Sequence, residues 1–264
     1  VSAPSANTSG RPSPTTAQHV EEDLSGKIDM ILDGGTVDIG LESTILDMTV
    51  SPPMILRPGA ITAEMFEKVI GPVDVDKTLL NDDSTQAPKA PGMKYRHYAP
   101  KAKLMIVEGD LREEILAIRQ IAYEADRKGR PIGIIATSET LPFYNHGIVK
   151  NIGTRENEKT IARNLYSVLR EFDEENVDTI YSESFAVQGI GTAIMNRLEK
   201  AAGHLRIPAS EIVKLQKYRK ITFVSGTDSA RGPMAAELLR HCDLKQEYVI
   251  NSRGIVVLFS EPAN

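Results

Sequence analysis

Cysteine occurs once, at Cys242, in a chain of 264 residues. A single thiol excludes an intramolecular disulfide and any cysteine-built zinc site. It suits a reducing compartment, so a cytoplasmic location is expected. No apolar run approaches the ~20 residues of a membrane span, and the first residues lack the charged-then-apolar order of a signal peptide. A starting methionine is missing too, and Val-Ser-Ala-Pro-Ser reads as the interior of a longer protein. Positive charge is not in excess: 31 Lys and Arg stand against 36 Asp and Glu, for a net charge of −5. That excludes a general nucleic-acid coat and leaves room only for a local basic patch. Metal-ligand spacing is absent, so no metal site is expected. His146 and His204 are far apart in sequence and read as surface residues. There is no internal repeat and no low-complexity tract.

What is present is a soluble globular composition, 41% hydrophobic and 25% charged, long enough for one large or two ordinary domains. Ser13 followed by Pro14 reads as a helix cap and first turn, with a helix over 15–24 ended by Ser25-Gly26. Residues 29–33, 42–49 and 54–57 read as strands, and Thr62 as the cap of a helix running to about 70. Residues 71–100 are polar and proline-punctuated and read as a linker. From Lys103 strands and helices alternate, which argues a parallel or mixed sheet. Strands are expected at 104–107, 132–136 and 179–181. Helices are expected from the Asp110/Glu113 capping pair onward, at 160–172 and at 192–202. A last unit has a strand at 221–224, a loop at 225–231, a helix at 233–240 and another strand near 248–251.

The segment from Ser5 to Pro14 is dense in hydroxyls, small residues and turn formers, and it runs into a helix start. Such an end offers unpaired N–H groups and a positive dipole to phosphate. The residues alone leave two readings equally open, a phosphate-facing loop or a Ser/Pro-rich turn without ligand.

Ser5-Ala6-Asn7-Thr8-Ser9-Gly10-Arg11-Pro12-Ser13-Pro14-Thr15 resembles a signature of the YrdC-like threonylcarbamoyl-adenylate synthases. Gly40-Leu41-Glu42-Ser43-Thr44-Ile45-Leu46-Asp47 and Ile55-Leu56-Arg57-Pro58-Gly59-Ala60-Ile61 resemble two further signatures, in the same order. Ala90-Pro91-Gly92-Met93-Lys94-Tyr95-Arg96-His97-Tyr98-Ala99-Pro100 is similar to the linker of the longer subfamily. Gly191-Thr192-Ala193-Ile194-Met195-Asn196-Arg197-Leu198 is similar to the end of its extra C-terminal domain. The resemblance covers roughly residues 1–217. It implies synthesis of threonylcarbamoyl-AMP from L-threonine, bicarbonate and ATP, with ATP taken as substrate together with Mg2+. The product serves tRNA threonylcarbamoyladenosine modification, so tRNA is an indirect partner, and no membrane is involved. By the same resemblance, Ser5, Asn7, Ser13, Arg57, Tyr95 and Tyr98 would contact ATP, and Ala3 and Ser43 would contact threonine. No catalytic residue is assigned. Taken singly, Arg57 could cap a strand end, Ser43 could be an ordinary strand residue, and the two tyrosines could pack the linker. The family also uses an early Lys/Arg cluster absent from this chain. A chain starting at Val1 is therefore expected to be N-terminally incomplete and inactive alone.

Residues 221–235 resemble the phosphate loop of low-molecular-weight protein tyrosine phosphatases, with Ser225 where that family has its cysteine and Arg231 in the arginine position. A serine lacks the depressed pKa of a thiolate at a helix start. The expectation is an inactive phosphatase-like segment with an anion loop at Ser225 and Arg231. The expected fold class is α/β. It comprises a YrdC-like twisted sheet segment (1–71), a linker folding over the active site (72–100), a Rossmann-like α/β domain (101–217) and a truncated phosphatase-like βαβ segment (218–264). The rival reading is a non-catalytic regulatory protein that binds nucleotide or phosphate.

Overall fold

The computed structural model describes residues 4–76, 99–213, 220–225, 233–234, 236–237 and 249–254. The chain divides into two compact units, Val1–Ile212 and Val213–Asn264.

The first unit opens with the serine-rich loop and helix α1, Ala17–Leu24. Its cap is Thr16, in extended conformation, whose hydroxyl accepts the His19 amide at 3.3 Å. This corrects the expectation that Ser13 caps and Pro14 starts the helix. The Thr15 amide is already bonded to His19 Nδ1, and the Ser13 hydroxyl is committed to Glu42. Strand β1, Ile45–Asp47, pairs antiparallel with β2, Met54–Arg57. Helix α2, Ala63–Ile70, follows the Thr62 cap and stops at Gly71, whose φ of 82° suits a residue without Cβ. Strand β3, Asp74–Val75, then pairs parallel with β2. Residues 29–33 form no strand. Among the described residues nothing pairs with them, and Met30 and Leu32 stand 73% and 87% exposed. A short apolar run without a partner edge gains no ladder hydrogen bonds.

The rest of the unit is a parallel α/β layer. Strand β4, Lys103–Glu108, leads through helix α3, Leu111–Arg127, to β5, Ile132–Ala136, and on to β6, Ile148–Asn151. Helix α4, Glu158–Glu174, is followed by β7, Thr179–Ser182, helix α5, Ile190–Ala202, β8, Arg206–Pro208, and the short α6, Ala209–Ile212. The five strands are all parallel, in the order β6-β5-β7-β4-β8. Both halves of the capping box form at α3, between Asp110 and Glu113. Strand β5 is buried along its whole length, as expected of a central parallel strand. Ile161, Leu165, Val168, Leu169 and Phe172 of α4 join Ile194 and Leu198 of α5 in one core cluster. Leu41 belongs to that same cluster and ties the N-terminal segment to it. At Gly40 the backbone lies against α4, and a Cβ there would sit 2.2 Å from the Arg163 carbonyl oxygen.

In the second unit, β9, Lys220–Ser225, pairs parallel with β10, Val249–Gly254. Residues 233–234 and 236–237 are helical. Among the described residues, no helix is long and apolar enough to cross a membrane.

Candidate active site

The serine-rich loop folds on itself before it meets the rest of the unit. Gly10 takes a φ of 90°, and the Arg11 amide bonds the Thr8 carbonyl at 3.2 Å. Asn7 donates through Nδ2 to the carbonyls of Thr8 and Arg11, at 2.9 and 3.3 Å. Its Oδ1 is buried and has no hydrogen-bond partner among the described residues. Ser5 is exposed.

Two carboxylates, one buried at Asp23 and one partly buried at Glu42, hold this loop. Asp23, at the end of α1, accepts the Thr8 amide at 3.0 Å and the Arg11 guanidinium. It also receives Arg170 of α4 through both terminal nitrogens, at 3.1 and 3.0 Å. Arg170 reaches on to the Pro12 carbonyl. Glu42 accepts the Ser13 hydroxyl at 2.9 Å, the Tyr166 hydroxyl at 2.9 and 2.8 Å, and Arg197 Nε at 3.0 Å. Burial pushes Asp23 upward, but the hydrogen bonds from Arg170 and Thr8 and the nearby guanidinium charges outweigh it, and the carboxyl stays below its usual range. Glu42 behaves likewise: burial raises it, while Arg197, Tyr166 and Ser13 bring it below normal. Burial, with the Arg170 charge beside it, lowers His19 and favours its neutral imidazole.

The residues singled out from sequence divide into groups. Ser13, Ser43 and Arg57 come together: Ser13 bonds Glu42, the neighbour of Ser43, and Arg57 Nε donates to the Ser43 carbonyl at 3.0 Å. Ser43 is exposed and Arg57 half-buried. The turn behind them is tight, since a Cβ on Gly59 would meet the Thr44 nitrogen at 2.5 Å and the Glu42 oxygen at 2.7 Å. Ser5 and Asn7 lie at the far end of the loop. Ala3, Tyr95, Tyr98 and Arg231 fall outside the described residues, and Ser225 ends β9. Sequence reasoning missed Asp23, Glu42, Tyr166, Arg170 and Arg197. The available signal was a charge on an otherwise apolar helix face, as at Arg170 beside Leu169 and Phe172. The helix start at α1 is engaged by Thr16, so the loop offers side chains and turn amides rather than an open helix end.

A separate polar cluster joins the carboxyl ends of the strands. Tyr144 donates to Glu183 at 2.7 Å, Arg155 to the other Glu183 oxygen at 2.7 Å, and the Ser184 amide to Glu114 at 3.2 Å. Burial, reinforced by the charge of Glu183, pushes Glu114 up to about 7 against the hydrogen bonds of Ser184. His146 is not without a partner, since its Nδ1 lies 3.0 Å from Asp126. Among the described residues, no group of three or more His, Cys, Asp or Glu is arranged to hold a metal ion.

A family model described as the C-terminal domain of threonylcarbamoyl-AMP synthase matches residues 61–203, more than half the chain. The chain belongs to the threonylcarbamoyl-AMP synthase family. A second model, described as telomere recombination, matches residues 1–59 and so takes in the serine-rich loop, Ser43 and Arg57. Threonylcarbamoyl-AMP synthase of Bacillus subtilis is 49% identical over 203 residues, 77% of this chain and 57% of that protein. The enzyme of that name from Pyrococcus abyssi is 44% identical, over 77% of this chain and 58% of its own length. A crystal structure of P. abyssi Sua5 complexed with L-threonine matches with a TM-score of 0.70 and 42% identity, covering 78% of this chain and 58% of that one. The chain therefore spans a little under three-fifths of these relatives.

Proposed function

We propose that this chain carries part of the site for making threonylcarbamoyl-AMP from L-threonine, bicarbonate and ATP, with pyrophosphate and water released. The observation that carries the reading is the juxtaposition of Ser13, Ser43 and Arg57: Ser13 bonds ionised Glu42, which precedes Ser43, and Arg57 bonds the Ser43 carbonyl. Ser43 is an exposed hydroxyl suited to threonine's polar groups. Arg57 already spends one donor on the Ser43 carbonyl, and the remaining fork matches a phosphate. Asn7 Oδ1 is a buried acceptor suited to an N–H donor such as an adenine amine. Mg2+ would arrive on the ATP phosphates. Tyr95 and Tyr98 would close the nucleotide side and Ala3 the threonine side. The product would feed tRNA modification in the cytoplasm. The relative crystallised with L-threonine supports the choice of amino acid.

Ligand-observed NMR with L-threonine, using D-threonine as control, tests the site. The chain is expected to bind the L-form, with Ser43→Ala at least tenfold weaker. Equal signals from both enantiomers would sink the reading. For the second unit we propose a phosphatase-like anion-binding segment around Ser225 and Arg231, supported by the parallel pairing of β9 with β10. It is expected to leave an aryl phosphate intact, and hydrolysis above buffer would overturn that.

A further inference from the structure

Arg57 ends β2, whereas Ser43 precedes β1 and lies on no strand. The ladder itself is irregular beside Arg57, which pairs with Ile45 at a register shift between Ile45 and Leu46. The stronger hold comes from α5. Arg197 is 1% exposed, and its guanidinium takes three acceptors from the two flanks of the site. Nε bonds the Glu42 carboxylate at 3.0 Å, Nη2 the Glu42 carbonyl at 3.4 Å, and Nη1 the Pro58 carbonyl. Glu42 precedes Ser43, and Pro58 follows Arg57. One rigid planar fork thus spans the backbones on either side of the pair. Tyr166 of α4 donates to the same carboxylate, within reach of both of its oxygens. Behind Glu42, Gly40 and Leu41 lie directly on α4 and its core.

We propose that Arg197 is a positioning residue of the site: it sets the spacing of Ser43 and Arg57 from within the C-terminal domain and touches no substrate itself. The inference rests on Ser43 and Arg57 being the ligand contacts proposed above. A lysine cannot take its place, because one ammonium on a flexible stem cannot hold the Pro58 carbonyl and both Glu42 acceptors in fixed geometry. The C-terminal domain then acts as part of the site through Arg197.

Two variants test this. Arg197→Lys keeps the charge and loses the fork. Glu42→Gln with Arg197→Met removes both charges and so leaves no unpaired buried ion to unfold the chain. Hydrogen exchange is followed at the amides of residues 42–45 and of Arg57, Gly59 and Ala60 in the segment 57–60, with β4, β5 and β7 as internal reference. In both variants exchange at the site segments is expected to rise at least tenfold while the reference strands stay unchanged. L-threonine affinity is expected to fall at least tenfold in parallel. Unchanged exchange at 42–45 and 57–60 in Arg197→Lys would overturn the proposal. So would an increase spread evenly over the reference strands, which marks general loosening. A wild-type chain that binds no threonine would count against the functional reading instead, and the exchange comparison still decides the positioning.

Discussion

Residues 4–76 and residues 103–213 are held by different physics. The parallel layer has a continuous apolar core, with Leu104, Ile106, Ile134, Leu165 and Ile180 all fully buried. Among the described residues, the N-terminal segment buries only four leucine, isoleucine or valine side chains: Leu41, Ile55, Leu56 and Val73. Its attachment comes instead from two carboxylate–guanidinium nodes, Asp23 with Arg170 and Glu42 with Arg197. Apolar burial is nondirectional and tolerant of small shifts. Ion pairs in a dry setting fix direction and distance, at a desolvation cost. The segment that carries Ser13, Ser43 and Arg57 is therefore the one held by directional bonds.

The sharpest way to break that contrast is to remove one arm of a node. Arg170→Met leaves Asp23 buried without its main partner and is expected to cost about 3–5 kcal/mol, read from the urea midpoint. Replacing both, as Asp23→Leu with Arg170→Met, should recover most of that loss; no recovery would show that charge was not the issue. The next effect is in pH. Asp23 and Glu42 are held below the usual carboxylate range, so their contribution is present above that range and is lost as pH falls through their lowered values. Glu114 is the opposite case. Its folded pKa is raised from 4.5 to about 7, so its favourable state is complete below 4.5 and is lost as pH rises through 7. That shift is worth about 3 kcal/mol. Glu114→Gln should flatten the decline in stability between pH 5 and pH 8 while leaving the acid limb in place. A decline of unchanged slope would rule out Glu114 as its source. The smallest effect belongs to the exposed apolar side chains. Leu32→Ser should change stability by no more than about 0.5 kcal/mol, and a larger loss in the same urea titration would mean that Leu32 is covered in solution.

Helices with complete local signals were legible in the sequence. Asp110 and Glu113 marked the start of α3, and Ile161, Leu165, Val168 and Leu169 marked the buried face of α4. Strands β6 and β8 were not, because Ile148-Val149-Lys150-Asn151 and Arg206-Ile207-Pro208 lack both alternation and length. They sit at the two edges of the sheet and owe their form to one neighbour each. Residues 29–33 fail the other way, having a short apolar run and, among the described residues, no edge to join. In the site, the loop, Ser43 and Arg57 stood out through local motifs. Arg170 and Arg197 did not, because they meet Asp23 and Glu42 across 147 and 155 residues, and no local pattern links such partners.

Gly40 shows what this mode of attachment means mechanically. With 2.2 Å between a would-be Cβ and the Arg163 oxygen, and 2.7 Å to that of Ala162, two main chains bear directly on each other. No rotamer lies between them to take up slack. The segment can slide along α4 or lift away, but it cannot move closer. Displacement of Gly40 toward the helix meets a hard stop, and sliding and outward travel are what the ion pairs are left to restrain.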